Sequence, residues 1–251
     1  MEHNFPVFIL SIIMYICIMK FRLPRQEISQ KLTGLGNKKI KENKIWIPVA
    51  TKKILNELSQ MMQKICQYGL PKHLVCKKLK NKLGFGIFLH PKAKPILKGE
   101  LIAPYSGEVF IFAQNDEDTT DYAFALIPDL HLSKKEQLEW DSTRRYHPRR
   151  LYSIDLDAKK KGNFTRFINH SDKPNVEAKF LRIPTNSFGL IPAPFELFYV
   201  AKKIIRPGEQ LLVSYEPEEK HFWGAIKPFS MTPKSFRLNS SLEVVESSPS
   251  P

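Results

Sequence analysis

Cysteine is scarce in this chain. Its three copies, Cys17, Cys66 and Cys76, are spaced neither for a disulfide framework nor for a zinc cluster, and no metal is expected. A full-length membrane span is lacking too. The apolar run from Phe5 to Met19, FPVFILSIIMYICIM, has 15 residues, where a bilayer-crossing helix needs about 20. No cation precedes it and no small-residue cleavage site follows, which disfavours a cleaved signal peptide. Segment 1–19 keeps three readings, with a signal ranked below the other two. It is an anchor, whose flanking Lys20, Arg22 and Arg25 would leave the rest cytoplasmic, or translation starts at Met19. Acidic residues are nearly missing from one quarter of the chain. Residues 20–82 hold 16 Lys/Arg against 3 Asp/Glu, a net +13, whereas residues 83–251 hold 23 against 21, a net +2. The total of +14 therefore belongs to the N-terminal region. Such a bias fits either a solvated surface or an electrostatic footprint for nucleic acid or an acidic membrane.

What is present suits one good-sized domain with appendages: 251 residues, 42% of them hydrophobic. Segment 20–71 is basic and partly helical. Within it Thr51 can cap a helix, KKILNELSQMMQKICQY, in which Ile54, Leu55, Leu58, Met61, Met62 and Ile65 recur at helical spacing. Gly69 and Pro71 stop it. After His73 the texture changes to short strands: HLVCKKL, FGIFLH, ELIAPYSGEVF, YAFALI, YSIDLD, VEAKFLRI, ELFYVAKKI and QLLVSYE. One helical insert lies between Asp129 and Arg150, with Ser133 and Glu136 forming a capping box. Segment 184–194 reads as a hairpin loop. Region 225–251 reads as a flank that becomes a disordered Ser/Pro tail from about Asn239.

Three groups of residues carry chemical interest. In Leu83-Gly84-Phe85-Gly86 two glycines let backbone approach a ligand, although a tight hairpin turn explains them equally. The third glycine of a dinucleotide fold and the Lys-Ser/Thr of a phosphate loop are missing. GNFTRFINHSDKPN, from Gly162 to Asn175, places Asn169-His170-Ser171 behind Phe167-Ile168. GEQLLVSYEP then supplies Tyr215. Alone, His170 reads as a satisfied buried histidine, and Tyr105 and Tyr122 read as strand aromatics. As a set they indicate a site built where several loops converge.

In this order, GFGIFLHPKAKPILKGELIAPYSGEVF, YSIDLDAKKKGNFTRFINHSDKPN and ELFYVAKKIIRPGEQLLVSYEP resemble the SET-domain protein lysine methyltransferases, over roughly Lys72 to Gly224. The resemblance implies a mainly β fold with some α. Its small curved sheets would carry a knot-like C-terminal threading, preceded here by the basic helical segment. It implies S-adenosylmethionine on one face and a target lysine entering from the other through a narrow channel. By the same resemblance Gly84, Phe85 and Gly86 lie along the methionine end of the cofactor, with Tyr122 nearby. Asn169 and His170 hold its amino and adenine portions, and Arg166 belongs to the same stretch. Tyr215 and Tyr105 are the site tyrosines, and Val213 lines the channel.

Methyl transfer to an amine is an in-line displacement from a sulfonium and needs alignment rather than a metal. A neighbouring sulfonium also favours the neutral amine by like-charge repulsion. The sequence departs from the family in three places. Asp172 stands where the family's NHSCxPN pattern has cysteine. No cysteine-rich flap follows Tyr215, so His221-Phe222-Trp223 is the candidate cover, with Trp223 stacking on adenine. Val213 stands where Phe or Tyr is common, which leaves the number of methyl groups transferred open. The implied substrate is a histone or histone-like protein, with segment 20–82 contacting nucleic acid. A non-chromatin protein substrate and a non-catalytic DNA- or membrane-binding module are the alternatives. The compact architecture resembles SET proteins of host-associated bacteria, which implies a soluble protein in the cytoplasm or on chromatin, or in a host nucleus.

Overall fold

The computed structural model describes residues 35, 38, 39, 41, 49–79, 84–113, 122–140, 145–181, 196–215 and 236–246. The apolar run 5–19, the expected loop 184–194 and Trp223 lie outside them. In chain order come helix α1 (Lys52–Tyr68), strands β1 (Leu74–Lys78), β2 (Phe85–Leu89), β3 (Leu101–Pro104), β4 (Glu108–Ala113) and β5 (Ala123–His131), and helix α2 (Lys134–Trp140). There follow β6 (Leu151–Asp157), a 3-10 turn (Phe164–Phe167), β7 (Asn169–His170), β8 (Val176–Leu181), β9 (Glu196–Ala201), β10 (Leu212–Val213), β11 (Phe236–Leu238) and β12 (Val244–Glu246). Among the described residues no helix is long and apolar enough to cross a membrane. The chain divides into two compact units.

The first unit comprises the described parts of Met1–Leu55, Tyr105–Asn163 and Phe180–Leu197. Its sheet has the order β4-β6-β5, antiparallel throughout. Alternation along β6 turns Tyr152 and Ile154 into a core with Ala113, Ile127, Leu130, Leu132 and Leu35. On the opposite face Asp155 is buried with Oδ1 unbonded. Burial, with the Asp157 charge adding to it, pushes the Asp155 carboxyl up against the opposing bond from Ser153.

Helix α2 starts with the expected capping box. The Ser133 N–H donates to Glu136 Oε2 at 2.8 Å, and the Glu136 N–H donates to Ser133 Oγ at 3.3 Å. Glu136 also receives Lys38 at 2.7 Å and Lys39 at 3.6 Å. The basic N-terminal segment is thus partly engaged internally: Leu35 enters the core and two of its lysines close on one carboxylate.

The second unit comprises Asn56–Pro104, Phe164–Lys179 and the described parts of Phe198–Pro251. A β1-β2 hairpin, a five-stranded sheet of order β3-β9-β8-β10-β7 and a β11-β12 hairpin make up its strands among the described residues. Leu58 and Ile65 of α1 are buried, and Gly69, at φ +71°, donates its N–H to the Ile65 carbonyl to end that helix.

Three expectations are corrected. ELIAPYSGEVF is two strands, β3 and β4, parted at Tyr105-Ser106-Gly107, where a Cβ on Gly107 would stand 2.5 Å from the Asp157 carbonyl oxygen. QLLVSYE contributes only the two residues of β10. The tail is not structureless from Asn239, because β11 and β12 pair antiparallel across a tight turn. Asn239 Oδ1 accepts the N–H groups of Ser241 and Glu243 there, at 3.0 and 2.9 Å. Phe236 and Leu238 bury against Leu79 and Phe88. The alternation of Phe236, Arg237 and Leu238, buried, exposed and buried, is the sequence signal for this strand.

Desolvation alone would raise the Glu136 carboxyl, but bonds from Lys38 and Ser133 and the Lys39 charge pull it down to about 2, from 4.5. A depressed pKa adds stability that is full above the unfolded value and lost as pH falls through the folded one. Glu136→Gln should therefore cost about 1 kcal/mol near pH 7, and this deficit should vanish between pH 4.5 and 2. Urea unfolding of both proteins across that range checks it.

Candidate active site

In the second unit the β1-β2 hairpin brings the Gly84-Phe85-Gly86 backbone into position. Gly84 has φ +70°, a conformation that favours glycine. Gly86 pairs with Lys77, and a Cβ there would stand 2.8 Å from Gln210 Nε2 and 3.2 Å from Leu79. The hairpin reading of this motif holds, and the close neighbours of Gly86 are side chains of the chain itself. Phe85 keeps 46% of its surface exposed, with its ring 5.6 Å from that of Phe167. Its carbonyl accepts from Asn169 Nδ2 at 3.0 Å. Arg166, in the 3-10 turn, lies over the Phe167 ring at 4.7 Å.

Asn169 and His170 form β7, parallel to Leu212 and Val213 of β10. His170 and Tyr215 meet at 5.4 Å between ring centroids. His170 Nδ1 accepts the Tyr215 backbone N–H at 3.0 Å, which leaves the ring hydrogen on Nε2. Nε2 lies 3.3 Å from Asp172 Oδ1. The Tyr215 hydroxyl donates to the Ile168 carbonyl at 2.9 Å. Val213 is 1% exposed and pairs with both His170 and Val176.

The first unit holds the other two tyrosines. Tyr105 is buried, its ring 6.2 Å from that of Phe124, and its hydroxyl donates to the Tyr122 carbonyl at 2.7 Å. That carbonyl also accepts the Ala158 N–H at 3.1 Å. Asn163 Nδ2 donates to Ser106 Oγ at 3.1 Å. Each unit therefore gathers its own share of the expected residues: Gly84, Phe85, Gly86, Arg166, Asn169, His170, Val213 and Tyr215 in the second, Tyr105 and Tyr122 in the first.

Two residues of the site carry more than their sequence context suggested. Asn175 is buried and donates from Nδ2 to the Gln210 carbonyl, while its Oδ1 accepts the Leu212 N–H, both at 2.8 Å. Its own backbone receives the Lys202 N–H and donates to Leu212. Gln210 is buried, with Oε1 unbonded. A polar residue directly after Pro174 was the available hint. Among the described residues no group of three or more His, Cys, Asp or Glu side chains could hold a metal ion.

Comparison with known proteins adds a family match: the model described as SET domain fits residues 84–216. The chain is similar to the Caenorhabditis elegans histone-lysine N-methyltransferase met-2, at 32% identity over 102 residues, 40% of this chain and 7% of that protein. It is 39% identical over 70 residues to the C. elegans histone-lysine N-methyltransferase set-2, covering 26% of this chain and 4% of that one. It is 28% identical over 123 residues to a Schizosaccharomyces pombe histone-lysine N-methyltransferase, H3 lysine-4 specific, covering 49% and 11%. The chain thus spans between 4% and 11% of these relatives. Similar solved structures include ATXR5 in complex with histone H3.1 mono-methylated on R26, with TM-score 0.44, 20% identity, and 70% and 71% of the two chains covered. Another is KRYPTONITE in complex with mCHG DNA and SAH, with TM-score 0.38, 21% identity, and 61% and 26% covered.

Asn175→Ala strips partners from two backbone groups at once and should cost roughly 2–4 kcal/mol. Asn175→Asp keeps only the acceptor and should fall between. Urea unfolding of the three proteins measures this; a loss below about 0.5 kcal/mol for Ala is what surface positions give and would contradict the clamp.

Proposed function

The chain belongs to the SET-domain family, and from that premise we propose that it is a protein-lysine N-methyltransferase using S-adenosylmethionine. The carrying observation is the Tyr215 hydroxyl, whose hydrogen goes to the Ile168 carbonyl. An oxygen so engaged offers lone pairs, not a base site, to whatever approaches it. It suits holding an amine N–H in direction, so that the nitrogen lone pair points along the displacement axis. We assign Tyr215 to orientation and not to proton removal. Tyr105, with its hydroxyl likewise donated to a carbonyl, takes the second position beside the channel.

The second unit's residues fit the cofactor. Phe85 and Phe167 present half-open apolar surface, and beside them Asn169 keeps Oδ1 unbonded among the described residues, an acceptor for an ammonium. Gly84 and Gly86 let backbone come close, His170 completes the set, and Arg166 and Tyr122 are assigned to it as well. When bound, S-adenosylmethionine supplies the electrophilic methyl group. Trp223 is proposed as its cover and Val213 as part of the channel wall. We take residues 72–224 as the catalytic domain and a histone or histone-like protein as the substrate. The SET-domain match over 84–216 and the similarity to histone-lysine N-methyltransferases support that choice. The protein then works on chromatin, or in the cytoplasm if its substrate is elsewhere.

Incubation with labelled S-adenosylmethionine should label core histones. Tyr215→Phe should lower transfer about 100-fold while costing about 1 kcal/mol in stability. Cofactor binding by the parent protein with no label in histones or in a whole lysate would end the enzyme reading. Full activity in Tyr215→Phe would remove the role given to that hydroxyl.

A further inference from the structure

The second unit carries a surface that holds none of the residues assigned to methyl transfer. Segments 94–98 and 202–206 are joined where Ile96 and Ile205 exchange both backbone hydrogen bonds, at 3.0 and 2.9 Å. The side chains of that pair are buried. Alternation along extended chain turns the next pair, Leu97 and Ile204, to the outer face, where they are 54% and 48% exposed. On these two segments, or within two residues of them, Lys92, Lys94, Lys98, Lys202, Lys203 and Arg206 are all exposed. The carboxylates on the same segments are engaged. Glu100 accepts the Leu97 N–H, and Glu209 accepts the Arg206 N–H and lies 3.9 Å from its guanidinium. No carboxylate pairs with the five lysines among the described residues.

We propose that this patch docks the protein on an anionic membrane surface. Residues 83–251 are close to neutral as a whole, so six cations against the two carboxylates Glu100 and Glu209, on segments that expose two aliphatic side chains, is a local excess of positive charge. Phosphates of nucleic acid would engage the cations but give the aliphatic pair nothing. A lipid interface engages both: the lysines meet anionic headgroups while Leu97 and Ile204 reach the acyl boundary. Lysine stems can lie along the apolar pair with their ammonium groups in the headgroup layer. Stable attachment takes two signals. The sequence holds a second candidate in the apolar run from Phe5 to Met19 with Lys20, Arg22 and Arg25 behind it.

The test is co-sedimentation of the full chain with phosphatidylcholine vesicles, with and without phosphatidylserine, beside gel retardation of a DNA duplex. Neither readout depends on methyl transfer. The parent should partition to phosphatidylserine vesicles and be released by salt. K202E/K203E should lower that partition by more than about tenfold. L97S/I204S should lower it several-fold and leave duplex retardation unchanged. Should the paired reversal lose the parent's thermal midpoint, the single exposed reversals K98E and K203E replace it, each with roughly a fivefold loss expected. Equal binding with and without phosphatidylserine, unchanged in all variants, would overturn the proposal. So would parallel loss of vesicle and duplex binding on charge reversal with no effect of L97S/I204S, which marks a general polyanion surface.

Discussion

One side-chain amide holds the second unit's site together. Residues 208–213 change partners within a few positions. Leu211 donates to Ile87 and Gln210 bridges antiparallel to Phe88, whereas Leu212 and Val213 run parallel to Asn169 and His170. Backbone that switches neighbours leaves groups no ladder can pair, and buried unpaired groups are costly. Asn175 straddles the switch and supplies both missing partners, a donor for the Gln210 carbonyl and an acceptor for the Leu212 N–H. An aspartate lacks the donor and a leucine lacks both. Asparagine's amide carries both functions at the reach this gap requires.

Downstream of that clamp the geometry is inherited. With β10 held in register, Ser171 donates to the Val213 carbonyl and Tyr215 donates to His170. The departure at position 172 then has a physical account. An aspartate can accept the Nε2 hydrogen that the Tyr215 contact leaves on His170, a task a cysteine performs poorly. The ring is held at Nδ1 by the chain that carries Tyr215, and the Asp172 carboxylate stands 3.3 Å from its other nitrogen.

Much of this was legible in the sequence because it is local. The Thr51 cap, the Gly69 stop and the Ser133-Glu136 box involve residues a few positions apart, and all three are formed as their spacing predicts. The motif residues are singled out by the resemblance, and each unit holds its own share of them. What stayed hidden depends on distant partners. The net +13 of segment 20–82 says nothing of Glu136, far along the chain, on which Lys38 and Lys39 close. The composition of the tail, rich in serine and proline, outweighed a three-residue alternation whose buried side, Phe236 and Leu238, has its partners in Leu79 and Phe88. The brevity of β10 follows from the partner switch, which no single-strand pattern can express.

The C-terminal hairpin bears on the order in which the protein can be made. Phe88 belongs to β2, the second of the described strands, and Gly208, at the head of the segment that leads to Tyr215, takes the Leu238 N–H on its carbonyl. A Cβ at Gly208 would stand 2.6 Å from the Leu238 carbonyl oxygen, so the two segments lie in close contact. Nearly the whole family-matched region must therefore be synthesised before the strand that carries Phe85 and Gly86 has its full core. Until then β2 offers Phe88 uncovered, a state in which nascent chains associate wrongly. The core around β2 in the second unit is thus completed by residues about 150 positions further along the chain.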